Sequence, residues 1–151
     1  LANLQNNLKF FKEKKIMKLN FGKLTAAALF MALSTQVHAG AVDTLQQEYI
    51  SAGAGPFSAA KGEQMWTEKH FDAKSGKDRT CQTCHTADLT KSGKHAKTGK
   101  VIDPLAPSAN NERLTEIKFI NKWFKRNCKW VLGRECTNQE KGDYLEYLRG
   151  L

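Results

Sequence analysis

Long apolar runs are missing from this 151-residue chain. The segment Leu24–Leu33 reads LTAAALFMAL, ten residues without a charge, against the ~20 a helix needs to cross a bilayer. Acids are scarce at one end: residues 1–39 hold Glu13 alone against lysines 9, 12, 14, 15, 18 and 23. Cysteine is sparse, four residues in all, which excludes a disulfide-dense miniprotein. No internal repeat or strand alternation stands out, so solenoids and β-sandwiches are set aside. With 40 % hydrophobic and 26 % charged residues, a disordered or collagen-like chain is excluded as well.

The net charge of +9 invites a nucleic-acid reading until its distribution is examined. The six lysines and one acid of residues 1–39 put +5 there. The remainder holds 18 basic and 14 acidic residues, +4, with its lysines dispersed. Met17, basic Lys18 and Lys23, the apolar run and then Gln36-Val37-His38-Ala39 follow the order of a signal peptide, with Val37 and Ala39 at the small-residue cleavage positions. The expectation is an upstream extension over 1–16, a signal peptide over 17–39 cleaved near Ala39, and an exported, periplasmic domain over 40–151 that is not held in the membrane after cleavage. An oxidising compartment also lets disulfides persist. Nucleic acid is not an expected partner.

Three helices can be argued in that domain. Ala59, Gly62 and Trp66 share a face of a helix over about Ser58–Phe71, where Gly62 costs ~1 kcal/mol against Ala and close approach of another helix is the expected compensation. A shorter segment, Asp43–Ser51, precedes it. Ile117, Ile120, Phe124, Cys128 and Val131 share a face of a second helix, Leu114–Leu132, stopped by Gly133. Asn127 is placed on that same apolar side. Thr137 with Glu140 three residues on is a capping-box pattern opening the third helix, with Tyr144, Leu145, Tyr147, Leu148 and Leu151 on its buried face. Residues 73–99 and the prolines 104 and 107 read as loop. The class is all-α. So thin a helical core calls for a staple or a cofactor.

Chemistry concentrates at Cys81-Gln82-Thr83-Cys84-His85. Cys-x-x-Cys-His is the attachment pattern of haem c: two thiols three positions apart reach the two vinyl groups, and the next imidazole reaches the iron. A thioredoxin-like pair needs a βαβ setting that is absent. A zinc site would recruit Cys128 and Cys136, but these are eight apart, outside the usual ligand spacing. In an exported chain Cys128 and Cys136 are expected to form a disulfide.

The sixth iron position is left open by the residues alone. Methionine, the usual distal ligand, is absent after the motif: the three methionines are 17, 31 and 65. His95, His70, a lysine and Asn127 remain. His95 would give a plain bis-His electron carrier. No clear distal acid–base pair supports an enzyme such as a peroxidase.

Lys97-Thr-Gly-Lys-Val-Ile-Asp-Pro-Leu-Ala-Pro107, Lys122-Trp-Phe-Lys-Arg-Asn-Cys128 and Leu132-Gly-Arg-Glu-Cys136 together resemble the SHP family of exported, oxygen-binding monohaem cytochromes. The resemblance runs from about Phe57 to the C-terminus. It implies a small class I-like cytochrome c fold, three to five short helices around one covalent haem c. It implies that Cys81 and Cys84 hold the haem, His85 is the proximal ligand, Asn127 the distal ligand, and Cys128–Cys136 the disulfide. It further implies release of Asn127 on reduction, binding of O2 or NO, and a diheme cytochrome c as electron donor. The related cytochrome c″ has His at the distal position, so Asn127 favours the SHP branch. Trp130 and Phe124 are expected to shape the distal pocket. Lys91, Lys94, Lys97 and Lys100 form either a basic rim that steers an acidic redox partner or a solvated charged loop.

Overall fold

The computed structural model describes residues 40–151; the expected upstream extension and signal peptide lie outside the described residues. Helix α1, Ala41–Ser51, buries Val42, Leu45, Gln46 and Tyr49, the i, i+3, i+4, i+7 pattern of one helix face. It starts two residues earlier than the sequence suggested. Helix α2, Ala59–Thr67, is capped by Ser58, whose hydroxyl accepts from the Lys61 amide. It stops four residues short of the expected Phe71.

The region between α2 and the next long helix is not plain loop. Strands β1, His70–Asp72, and β2, Lys77–Arg79, form an antiparallel hairpin. Its turn is closed by the Asp72 carboxylate, which accepts from the Ser75 amide and hydroxyl, and by Gly76 at φ +66. One short helical turn follows, α3, Gln82–His85. A second antiparallel hairpin pairs β3, Gly93–Lys94, with β4, Val101–Ile102. Strands of two or three residues are too short to print an alternation on the sequence, which is why none was foreseen.

Helix α4 runs Ile117–Val131 and α5 Asn138–Arg149. The capping box at Thr137 and Glu140 forms as the sequence predicts, with both reciprocal bonds present. On α4, Ile120, Cys128 and Val131 are buried, whereas Ile117 is 37 % exposed. Among the described residues the molecule is thus mostly helical, five helices with four very short strands.

Helices α2 and α5 cross closely. A Cβ on Gly62 would lie 2.8 Å from the Tyr147 Cβ and would also run into the Asp143 carbonyl. The compensation expected for this glycine is therefore realised. The apolar interior falls into two clusters. Trp66, Leu89, Ala106, Cys128, Cys136, Tyr144 and Leu148 form one. Val42, Leu45, Tyr49, Ile120 and Leu145 form the other. Leu114 and Phe124 pack against both. Among the described residues only Leu45 and Leu145 are large side chains below 2 % exposure, so these residues alone supply a thin core.

Candidate haem site

Helix α3 carries the motif. Cys81 is its N-cap residue, and Cys84 and His85 lie in its single turn. The Thr80 and Thr83 hydroxyls bond the backbone around it reciprocally, Thr80 amide to Thr83 Oγ1 at 3.0 Å and Thr83 amide to Thr80 Oγ1 at 3.1 Å. This Thr-x-x-Thr pairing locks the turn locally. Strand β3 then presses on it: Gly93 is buried, and a Cβ there would sit 3.0 Å from the His85 Cα and clash with the Cys84 carbonyl. Thr86, just after His85, is held at φ +65, a conformation an L-residue adopts only when its surroundings impose it.

The donor set fits a covalent haem. Cys81 and Cys84 are unpaired, half-buried thiols. Burial pushes the Cys81 thiol up to about 12, so it is protonated at pH 7 and inert toward stray oxidation. Burial, then the charge of Arg113, brings His85 down to about 4. The imidazole is thereby neutral at pH 7 and keeps the lone pair that ligation needs. Trp66 packs beside it, ring centroids 5.5 Å apart. The Trp66 indole Nε1 is buried and has no hydrogen-bond partner among the described residues; an isolated buried donor is costly, and an acidic cofactor group beside His85 would satisfy it.

The other expected residues divide. Cys81 and Phe124 both pack against the cluster containing Cys128 and Tyr144. The Cys128–Cys136 disulfide is present, with Cα atoms 5.6 Å apart. Phe124 stacks on Tyr144 at 6.2 Å. Asn127 lies on α4 directly before the disulfide, but it is exposed. The helical period places it at the margin of the buried stripe, next to exposed Trp123 and half-buried Trp130.

His95 sits in the β3–β4 turn, where its Nδ1 accepts from the Lys97 and Thr98 amides at 3.3 and 3.2 Å. A neutral ring accepting at Nδ1 carries its proton on Nε2. Ligation through Nε2 would need the other tautomer and the loss of these Nδ1 contacts, which weighs against the bis-His reading. His70 is in β1, not at a helix end. Its Nε2 is buried without a partner among the described residues. Lys91, Lys94, Lys97 and Lys100 are all exposed around the second hairpin.

Two contributors escaped sequence reasoning. Gly93 carried a signal, a glycine where another backbone approaches closely. Arg79 carried none: it donates to the Trp130 carbonyl at 2.9 Å and to the Asp72 carboxylate, and its guanidinium lies 4.7 Å over the Trp130 ring.

Residues 52–148 match a family described as a domain of unknown function, DUF1924. The cytochrome c-type protein SHP of Cereibacter sphaeroides is 41 % identical over 100 residues, 66 % of this chain and 76 % of that protein. The chain belongs to the SHP-type cytochromes c. Cytochrome c″ of Methylophilus methylotrophus is related at 36 % identity over 85 residues, 56 % of this chain and 59 % of that protein. The solved structure of oxidised SHP, described as an oxygen-binding cytochrome c, superposes with a TM-score of 0.66 at 35 % identity over 76 % of this chain and all of that one. Oxidised cytochrome c″ superposes with a TM-score of 0.63 at 33 % identity, covering 72 % of this chain and 93 % of that one. Membership of the SHP type implies a covalently bound haem and confirms the cytochrome fold expected from the sequence.

Proposed function

We propose that this SHP-type cytochrome moves electrons and binds a small diatomic gas, O2 or NO, at one haem c. Cys81 and Cys84 hold it through thioethers, His85 is the proximal ligand and Asn127 the distal one. When bound, the haem would supply an iron for one-electron exchange and for taking up a diatomic gas. The carrying observation is the neutral, half-buried His85 on the same turn as two unpaired thiols, with no methionine downstream.

Asn127 is the better distal candidate on chemical grounds. An amide oxygen is a hard, neutral donor, suited to ferric and poorly suited to ferrous iron. It is exposed and carries no side-chain hydrogen bond among the described residues, so none of them competes for it. Its neighbour Cys128 is tied to Cys136, which fixes the backbone from which it reaches. Asn127 would hold the iron in the oxidised protein and be released on reduction. Redox proteins are the general class of partner, and a diheme cytochrome c is the donor the family resemblance suggests.

A periplasmic location after cleavage of the proposed signal peptide over 17–39 is what the sequence order of that segment and the family resemblance support. No helix among the described residues is long and apolar enough to cross a membrane.

The test is Asn127→Ala. The ferric protein should lose its low-spin absorption and EPR signals and become high-spin, while His95→Ala leaves them intact. An unchanged ferric spectrum in Asn127→Ala removes the assignment.

A further inference from the structure

Arg79 joins the segment entering the haem motif to the end of the helix that carries Asn127. It lies two residues before Cys81, at the end of β2. Trp130 is in the last turn of α4, three residues after Asn127. Carbonyls in the last turn of a helix have no partner within it, and the Arg79 Nη1 donates to the Trp130 carbonyl at 2.9 Å. The same guanidinium stacks 4.7 Å over the Trp130 ring. Its Nη2 is held by the Asp72 carboxylate, which the β1–β2 turn orients in its turn through Ser75. Both side chains of the ion pair are largely covered, at 18 and 16 % exposure, so solvent screens this contact less than an open surface pair.

We propose that Arg79 is a positioning residue for Asn127. Through Trp130 it sets the rotation and height of the last turn of α4 relative to the motif, and so the reach of the Asn127 side chain. The disulfide holds the same turn from the other side, to Cys136. The two tethers differ in kind. The disulfide ties α4 to the segment leading into α5, whereas Arg79 ties it to the residues adjoining the haem thioethers. Only the second links the two faces of the site. A guanidinium is needed there because its planar fork donates to two acceptors while presenting a face to an indole.

The inference rests on Asn127 as distal ligand, and its test separates the two. Holoproteins carrying Arg79→Leu, Arg79→Lys and Asp72→Asn are compared by ferric EPR and absorption and by midpoint potential. Loss of one charge-assisted contact should raise the ratio of Asn-free, high-spin to Asn-bound, low-spin ferric protein by roughly tenfold in Arg79→Leu. The potential should rise, because a ligand that favours the ferric state is weakened. Arg79→Lys, which keeps charge but not the fork, should fall between. Asp72→Asn should move both readouts in the same direction while leaving the motif and α4 untouched, and it serves if Arg79→Leu fails to mature. Arg134→Leu, which breaks an ion pair at the start of α5, should lower thermal stability and leave both readouts alone. If Asn127→Ala abolishes the low-spin signal while Arg79→Leu and Asp72→Asn keep the wild-type ratio and potential, the positioning role is wrong and the ligand assignment stands. If Asn127→Ala changes nothing, both fall.

Discussion

Glu140 shows how much one side chain can carry when its partners are local. Its carboxylate accepts from the Thr137 amide at 2.8 Å and from both terminal nitrogens of Arg134 at 2.6 and 2.8 Å. The Arg134 guanidinium, with the Thr137 amide adding to it, holds its pKa down to about 2 against an ordinary 4.5. A carboxyl depressed in the folded state stabilises above its unfolded pKa and loses that contribution as pH falls through the folded one. Glu140→Gln should therefore cost about 1 kcal/mol above pH 5, after discounting for solvent screening. The difference from the parent should close between about pH 4.5 and pH 2, as urea midpoints over that range will record. The capping box was legible in the sequence because its two members are three residues apart. The Arg134 contribution was not, since nothing in spacing says which cation folds back. Asn127 is the opposite case. Helical spacing set it toward the apolar stripe, while the structure leaves it exposed at the margin of that stripe, where an amide needs no buried partner.

At the scale of elements, the α2–α5 crossing is the firmest feature. The cost of Gly62 in a helix pointed to a close approach by some other helix, and its packing against Asp143 and Tyr147 identifies that helix as α5. Gly62→Ala should destabilise the protein by roughly 1–3 kcal/mol in chemical denaturation, overpacking exceeding the ~1 kcal/mol gained in helix propensity. Removing the clasp on α4 by Cys128→Ser with Cys136→Ser should cost about 2–3 kcal/mol on the chain-entropy estimate, read the same way. The two hairpins were invisible beforehand because their strands hold two or three residues, and a tertiary contact with α3 or α4 decides whether such strands form. Helix α4 was found by its period, but its outer face was misjudged at Ile117. A 15-residue helix with one buried stripe still leaves apolar residues at its ends in water.

At the scale of the whole molecule, two modest clusters among the described residues share Leu114 and Phe124 at their margins, and Cys81 of the motif packs against one of them. The need for a cofactor was readable from length and composition; the way it divides the interior was not, because long-range packing leaves no trace in periodicity. A ligand bound to the folded state alone stabilises it by mass action, and a covalent one does so permanently. Cys81→Ala with Cys84→Ala, which removes the attachment, should therefore give a protein with helical far-UV circular dichroism but a broadened, earlier thermal transition and weakened near-UV signals.

The contacts that close the helical frame also set an order of events. Gln46 of α1 donates to the Gly142 carbonyl of α5, 96 positions away, and α2 meets α5 across a comparable gap. Contacts between residues so far apart in sequence form late in folding. In a chain that folds after the export proposed above, the motif at 81–85 stays open until α5 docks on α1 and α2 to seal the frame around it. The topology thus leaves an interval in which the two thiols and the imidazole are reachable by an attachment machinery. A circular permutant that placed α5 ahead of α1 would shorten that interval and should lower the yield of holoprotein.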